Sequence, residues 1–124
     1  MAGELILIVE DNATNMKLAR DLLQVKGYRT LKAASAERGL ELARQHTPDL
    51  ILMDIQLPCL DGVGALQQLR ADPATAALRV AAFTASAMST DRARILTAGF
   101  DGYITKPINV REFLEAVRAL CERT

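Results

Sequence analysis

The sequence has no tryptophan, a single histidine (His46) and two cysteines, Cys59 and Cys121, among its 124 residues. Each scarcity excludes a class of chemistry. No indole is there to stack on a flavin. One histidine cannot build a multi-histidine zinc site, and it admits a Ser/His/Asp triad only with His46 as the base. The cysteines are far apart and form no CxxC pair, which fits a reduced, cytoplasmic compartment better than a disulfide scaffold. Charge of one sign is also missing, because 15 basic side chains balance 15 acidic ones. That balance removes the usual footprint of a nucleic-acid or anionic-membrane partner. The longest apolar run, Leu5 to Val9, is far short of the ~20 residues that a membrane span needs. Met1-Ala2-Gly3-Glu4 has neither the basic region nor the apolar stretch of a signal peptide.

What is there is a core-forming chain. Half of the residues are hydrophobic, and the length suits one domain over residues 1–124, with no repeat, low-complexity stretch or linker. Short apolar runs alternate with helical patterns. Leu5 to Val9 reads as a buried strand, and Asn15 to Lys26 as a helix with Met16, Ala19, Leu22 and Leu23 inward and Gly27 as its stop. Tyr28 to Ala33 is a mixed strand. Ser35 caps a helix that runs through Gln45 and ends at Thr47-Pro48, and Leu50 to Met53 is another apolar strand. The pattern then repeats. A helix over Gly62 to Arg70 presents Val63, Leu66 and Leu69 to the core, and a strand follows over Val80 to Phe83. Ser89 caps a short helix that stops at Gly99, and Gly102 to Thr105 is a last strand. Asn109 with Glu112 opens a final helix that buries Val110, Phe113, Leu114, Val117 and Leu120.

Five strands alternating with five helices predict an α/β fold, a parallel sheet covered on both faces. The first, third and fourth strands are apolar throughout, as central strands are; the second and fifth are mixed and suit the edges. With right-handed crossovers one compatible order is 2-1-3-4-5, the flavodoxin-like order. Ligands in such sheets bind beyond the carboxyl ends of the strands, here between the first and the third. Those ends carry Glu10-Asp11, Asp54, Thr84-Ala85 and Lys106-Pro107. Three carboxylates at one rim repel one another, and Mg²⁺, a hard cation that takes oxygen ligands and keeps some water, relieves the repulsion. An aspartate in that setting can act as a nucleophile and form an aspartyl-phosphate, with a metal and a lysine neutralising the phosphoryl charge.

The ordered set Glu10-Asp11, Met53-Asp54, Leu57-Pro58, Asp61-Gly62, Phe83-Thr84-Ala85 and Lys106-Pro107 resembles the receiver domains of two-component response regulators over nearly the whole chain. Within that family, Glu10-Asp11-Asn12 with Asn15 and Met16, and the run Met53 to Pro58, are similar to single-domain regulators of the DivK type and to receivers of hybrid histidine kinases. The resemblance implies roles. Asp54 accepts the phosphoryl group from a phosphohistidine on a histidine kinase or a histidine phosphotransfer protein. Asp11, Asp54 and the backbone carbonyl of Gln56 bind Mg²⁺ or Mn²⁺, with Glu10 acting through metal-bound water. Lys106 pairs with Asp54 and then with the phosphate, and the amides of Ile55 and Ala85 complete the phosphate cradle. Thr84 moves to the phosphate and Tyr103 rotates in behind it, so that a protein-binding face around the fourth helix, fifth strand and fifth helix changes for a downstream target. The resemblance further implies a phosphoacceptor rather than a turnover enzyme; the 124 residues are used up by five strand–helix units, so no output domain is expected within them and any output comes from another polypeptide or from sequence not present here.

Plainer readings stand beside these. Asp54 could only cap a loop, Thr84 a helix, and Tyr103 could be an edge-strand aromatic. Cys59 reads as a loop filler, Cys121 as core, His46 as surface, and Arg92 and Arg94 as a solvated face. Two other functions compete. A haloacid-dehalogenase-like phosphatase needs a second aspartate two positions after its nucleophile, where this chain has Gln56. A flavodoxin-like cofactor module needs a neutral or glycine-rich first loop, where this chain has Glu10-Asp11-Asn12-Ala13.

Overall fold

The computed structural model describes residues 3–55, 62–84, 95–105 and 108–122, with the side chains of Gly62, Val63, Thr84 and Glu122 left aside. In chain order the elements are β1 (Leu5–Val9), α1 (Ala13–Val25), β2 (Arg29–Ala33), α2 (Ala36–His46), β3 (Leu50–Asp54), α3 (Gly62–Ala71), β4 (Val80–Thr84), helical residues 95–98 (α4), β5 (Gly102–Thr105) and α5 (Val110–Glu122). All strand pairs are parallel, and the sheet order is β2-β1-β3-β4-β5. This is the order expected from strand composition. The two strands of mixed composition, β2 and β5, are the edges.

Period-two alternation along each strand sorts the core into two layers. Leu7, Val9, Ile51, Met53 and Ala82 pack with Leu40, Leu66, Ile95 and Phe100, so α2, α3 and α4 cover one face. Ile6, Ile8, Leu50, Leu52 and Phe83 pack with Ala19, Leu23, Phe113 and Val117, so α1 and α5 cover the other. The Phe83 and Phe113 rings meet at 6.2 Å between centroids. Gly39 is the closest approach of helix to sheet. A Cβ there would lie 2.7 Å from Val9 Cγ2, so α2 sits on β1 at a distance that only glycine allows without a shift.

Helix ends follow local chemistry. α1 starts earlier than the apolar pattern suggests, because Asn12 adopts extended dihedrals (φ −86°, ψ 117°) and its side chain accepts from the Asn15 amide. Ser35 caps α2 as expected, accepting from Arg38 N at 3.2 Å. α2 ends at Thr47, which is left-handed at φ 42° although it is β-branched. Asn109 accepts from Glu112 N at 3.1 Å and opens α5. Two expectations need correction. Val110 is exposed, because as the first residue of α5 it precedes the turn that faces the sheet. Cys121 is half-buried at the margin of the α1/α5 layer rather than within it.

At the end of the sheet where β4 and β5 begin, Arg70 from α3 gathers three backbone carbonyls and a carboxylate. It donates to Ala76, Leu78 and Gly99 oxygens and to Asp101 Oδ2 at 3.0 Å. Asp101 Oδ2 also accepts from Val80 N at 2.8 Å, and Asp101 N donates to Val80 O. This knot ties the end of α3, the start of β4 and the turn into β5.

Candidate functional site

The opposite end of the sheet holds the carboxylates. β1 and β3 are paired through Val9 and Met53, and Glu10 and Asp54 stand one residue further on. Alternation puts both on the face of Ile8 and Leu52, and parallel pairing puts them side by side. Glu10 and Asp54 are 2% and 4% exposed, whereas Asp11 is open to solvent. One oxygen from each of Glu10, Asp11 and Asp54 lies within 4.8 Å of the others. The backbone supports the arrangement from three sides. Glu10 N donates to Ala33 O at 2.9 Å, Asn12 N donates to Glu10 Oε2 at 3.0 Å, and Ile55 N donates to Phe83 O at 3.4 Å.

These residues fit a magnesium ion on donor chemistry. All three groups offer hard oxygen, and oxygens within 4.8 Å of one another are near enough to serve one ion. The exposure of Asp11 leaves one side open for water or a phosphate oxygen. Burial of two carboxylates beside a third also makes a compensating cation favourable.

Other residues singled out from the sequence fall as follows. Ile55 is buried, and its amide is engaged with Phe83 through a bond at the long, weak end of the range. Giving up that rung would free the amide for a phosphate oxygen. Thr84 ends β4 and pairs with Thr105, and Tyr103, half-buried, stands two residues before that partner. Tyr103 flanks a cavity of about 220 Å³ between β5 and α5, lined also by Ile104, Asn109, Glu112 and Phe113. His46 is exposed. Gln56, Ala85 and Lys106 lie outside the described residues, as do Cys59, Arg92 and Arg94. Sequence reasoning carried Asn12 only as part of a motif. The structure shows it touching Glu10 through its backbone, and its N-cap preference was the available signal.

Residues 6–118 match the response regulator receiver domain family. Over 114 residues the chain is 46% identical to the polar-differentiation response regulator DivK of Brucella ovis, covering 92% of this chain and 93% of that protein. Among solved structures, a putative response regulator from Chloroflexus aurantiacus J-10-fl superposes with a TM-score of 0.91 at 28% identity, covering 98% of this chain and 99% of that one. The receiver domain of the sensor histidine kinase PA1611 from Pseudomonas aeruginosa PAO1, solved with a magnesium ion coordinated in its active site cleft, superposes with a TM-score of 0.89 at 34% identity. It is covered over 100% of its length and covers 98% of this chain. Among the described residues no helix is long and apolar enough to cross a membrane. Strand order, rim carboxylates and relatives agree, and the chain belongs to the response regulator receiver domain family of two-component signalling.

Proposed function

We propose that Asp54 is the phosphoacceptor of a phosphorelay. The observation that carries this reading is the convergence of Glu10, Asp11 and Asp54 oxygens within 4.8 Å at the carboxyl end of the central strands. An oxygen of Asp54 attacks the phosphorus of a phosphohistidine on a histidine kinase or phosphotransfer protein. The new O–P bond forms as the P–N bond breaks, and the imidazole leaves to the partner. Asp11, Asp54 and the Gln56 carbonyl would hold a divalent ion, with Glu10 acting through water, and that ion would supply charge neutralisation. Lys106 neutralises further charge on the transferred group, and the Ile55 and Ala85 amides accommodate its oxygens.

The chain acts as a stoichiometric acceptor and not as a turnover enzyme. Thr84 donates to the acquired phosphate, and its cross-strand neighbourhood includes Tyr103, two residues from the Thr84–Thr105 pair. Movement of Tyr103 changes the cavity between β5 and α5, and with it the face offered to a downstream protein in the cytoplasm. Incubation with acetyl phosphate and Mg²⁺ should add one hydroxylamine-labile phosphoryl group per chain. Asp54→Asn should take up none. Uptake by that variant at the wild-type rate would remove Asp54 from the role.

A further inference from the structure

Asn12 is placed so that the start of α1 and the aim of the rim carboxylates depend on one residue. Its side-chain Oδ1 accepts from Asn15 N at 3.0 Å, and its carbonyl accepts from Met16 N at 2.9 Å. Those two bonds fix the extended dihedrals of Asn12. The dihedrals in turn fix the direction of the Asn12 N–H, which donates to Glu10 Oε2 at 3.0 Å. Glu10 is 2% exposed, and its own amide is tied to Ala33 O, so the carboxylate is held at both its root and its tip. Asp11 is carried between the two anchored residues.

We propose that Asn12 is a positioning residue for the metal-binding carboxylates, acting through the cap of α1. A backbone N–H cannot be removed by a side-chain substitution, but it can be mis-aimed. Losing the cap frees the turn from Glu10 to Ala13, and Asp11, with Glu10 acting through water, then engages the ion only after an ordering step that the native cap has already made. This inference rests on the rim being a divalent-cation site. A residue that merely caps a helix would instead affect stability and leave cation affinity in the folded protein unchanged.

The test compares two caps in the full chain. Asn12→Ala removes the α1 cap beside the rim, and Ser35→Ala removes the α2 cap, whose hydroxyl accepts from Arg38 N. Both should lower the urea midpoint by similar amounts. Mg²⁺ alone is then titrated by calorimetry under conditions where each variant is folded. Asn12→Ala should weaken Mg²⁺ binding about fivefold, and Ser35→Ala should leave it unchanged. Asn12→Ser, which restores a cap without adding charge, should return affinity to within about twofold of the native chain. Asn12→Gly, which loses little stability at a cap, keeps the comparison available if the alanine variant does not fold, and it should show the same weakening. Native-like Mg²⁺ affinity in Asn12→Ala or Asn12→Gly, or failure of Asn12→Ser to recover it, overturns the assignment. No Mg²⁺ binding by the native chain would instead overturn the functional reading on which it rests.

Discussion

Two arginine–carboxylate pairs in this protein have the same 3.0 Å separation and should differ several-fold in worth. Arg111 and Glu115 lie on the outer face of α5 with 88% and 68% of their side chains exposed. Arg70 and Asp101 are 29% and 30% exposed, and Arg70 also donates to the carbonyls of Ala76, Leu78 and Gly99. Removing Arg111 deletes an exposed i,i+4 pair, worth about 0.3–0.5 kcal/mol. Removing Arg70 leaves part-buried carbonyls and the Asp101 carboxylate without their shared cation. Hydrogen bonds to charged groups contribute about 1.5–3 kcal/mol each when buried. Taking the low end for two effective bonds, because the site is about a third open, gives a loss of about 3 kcal/mol for Arg70→Ala. In urea unfolding that is a midpoint shift of about 1.5–2 M at a slope ordinary for a domain of this size. A double-mutant cycle with Asp101→Asn should assign about 1 kcal/mol to the pair and the rest to the carbonyls. The knot lies at the end of the sheet remote from Glu10, Asp11 and Asp54, so Mg²⁺ affinity should not change. A loss for Arg70→Ala no larger than that for Arg111→Ala would refute the reasoning that burial and carbonyl coordination, not ion-pair distance, set the value.

Three further outcomes are expected. Gly39→Ala should lose about 1 kcal/mol in urea unfolding, because a Cβ 2.7 Å from the rigid, buried Val9 costs about 1–3 kcal/mol while alanine returns about 1 of helix propensity; a more stable variant would contradict the close approach. Thr47→Asn should raise the melting temperature by about 2–4 °C, since asparagine tolerates the left-handed φ of 42° better than a β-branched residue, and an unchanged or lower value counts against strain there. Burial first, and then the negative charges of Glu4 and Asp49, push the Cys121 thiol up to about 11 from an ordinary 9.0. The native state therefore keeps this proton to higher pH than the unfolded chain, and the associated stability is complete below about 9 and lost as pH rises through about 11. In a Cys59→Ser background, alkylation of the native protein should still be accelerating above pH 9, and a plateau there would be inconsistent with a buried thiol.

Much of this molecule can be read from its residues because strands report their burial directly. The unbroken apolar runs in β1, β3 and β4 and the polar interruptions in β2 sort centre from edge, and right-handed crossovers then make the observed order a compatible one. Once that order is known, Glu10 and Asp54 must be neighbours. Contacts between distant polar side chains have no such periodic signature. Arg70 and Asp101 are 31 positions apart in sequence, and nothing in either segment marks them as partners. Val110 departs from its expected burial for a related reason. It falls on the apolar period of Phe113 and Val117, but as the first residue of α5 it projects where the helix has not yet reached the sheet. Gly39 did carry a signal, a glycine inside an otherwise helical run, which usually means that something approaches closely.

The shared face of Glu10 and Asp54 restricts how the chain can change length. Deleting one residue within β1 would turn Glu10 toward the layer under α2 and move the next residue in sequence into its place at the rim, while the parallel ladder could still form. The same holds for β3 and Asp54. Composition would be nearly intact and the sheet could still assemble, yet the two carboxylates would sit on opposite sides of it. Insertions and deletions compatible with the site are therefore confined to the connections between elements, or to compensating steps of two within a strand. Substitutions among aliphatic residues inside those strands leave the rim where it is.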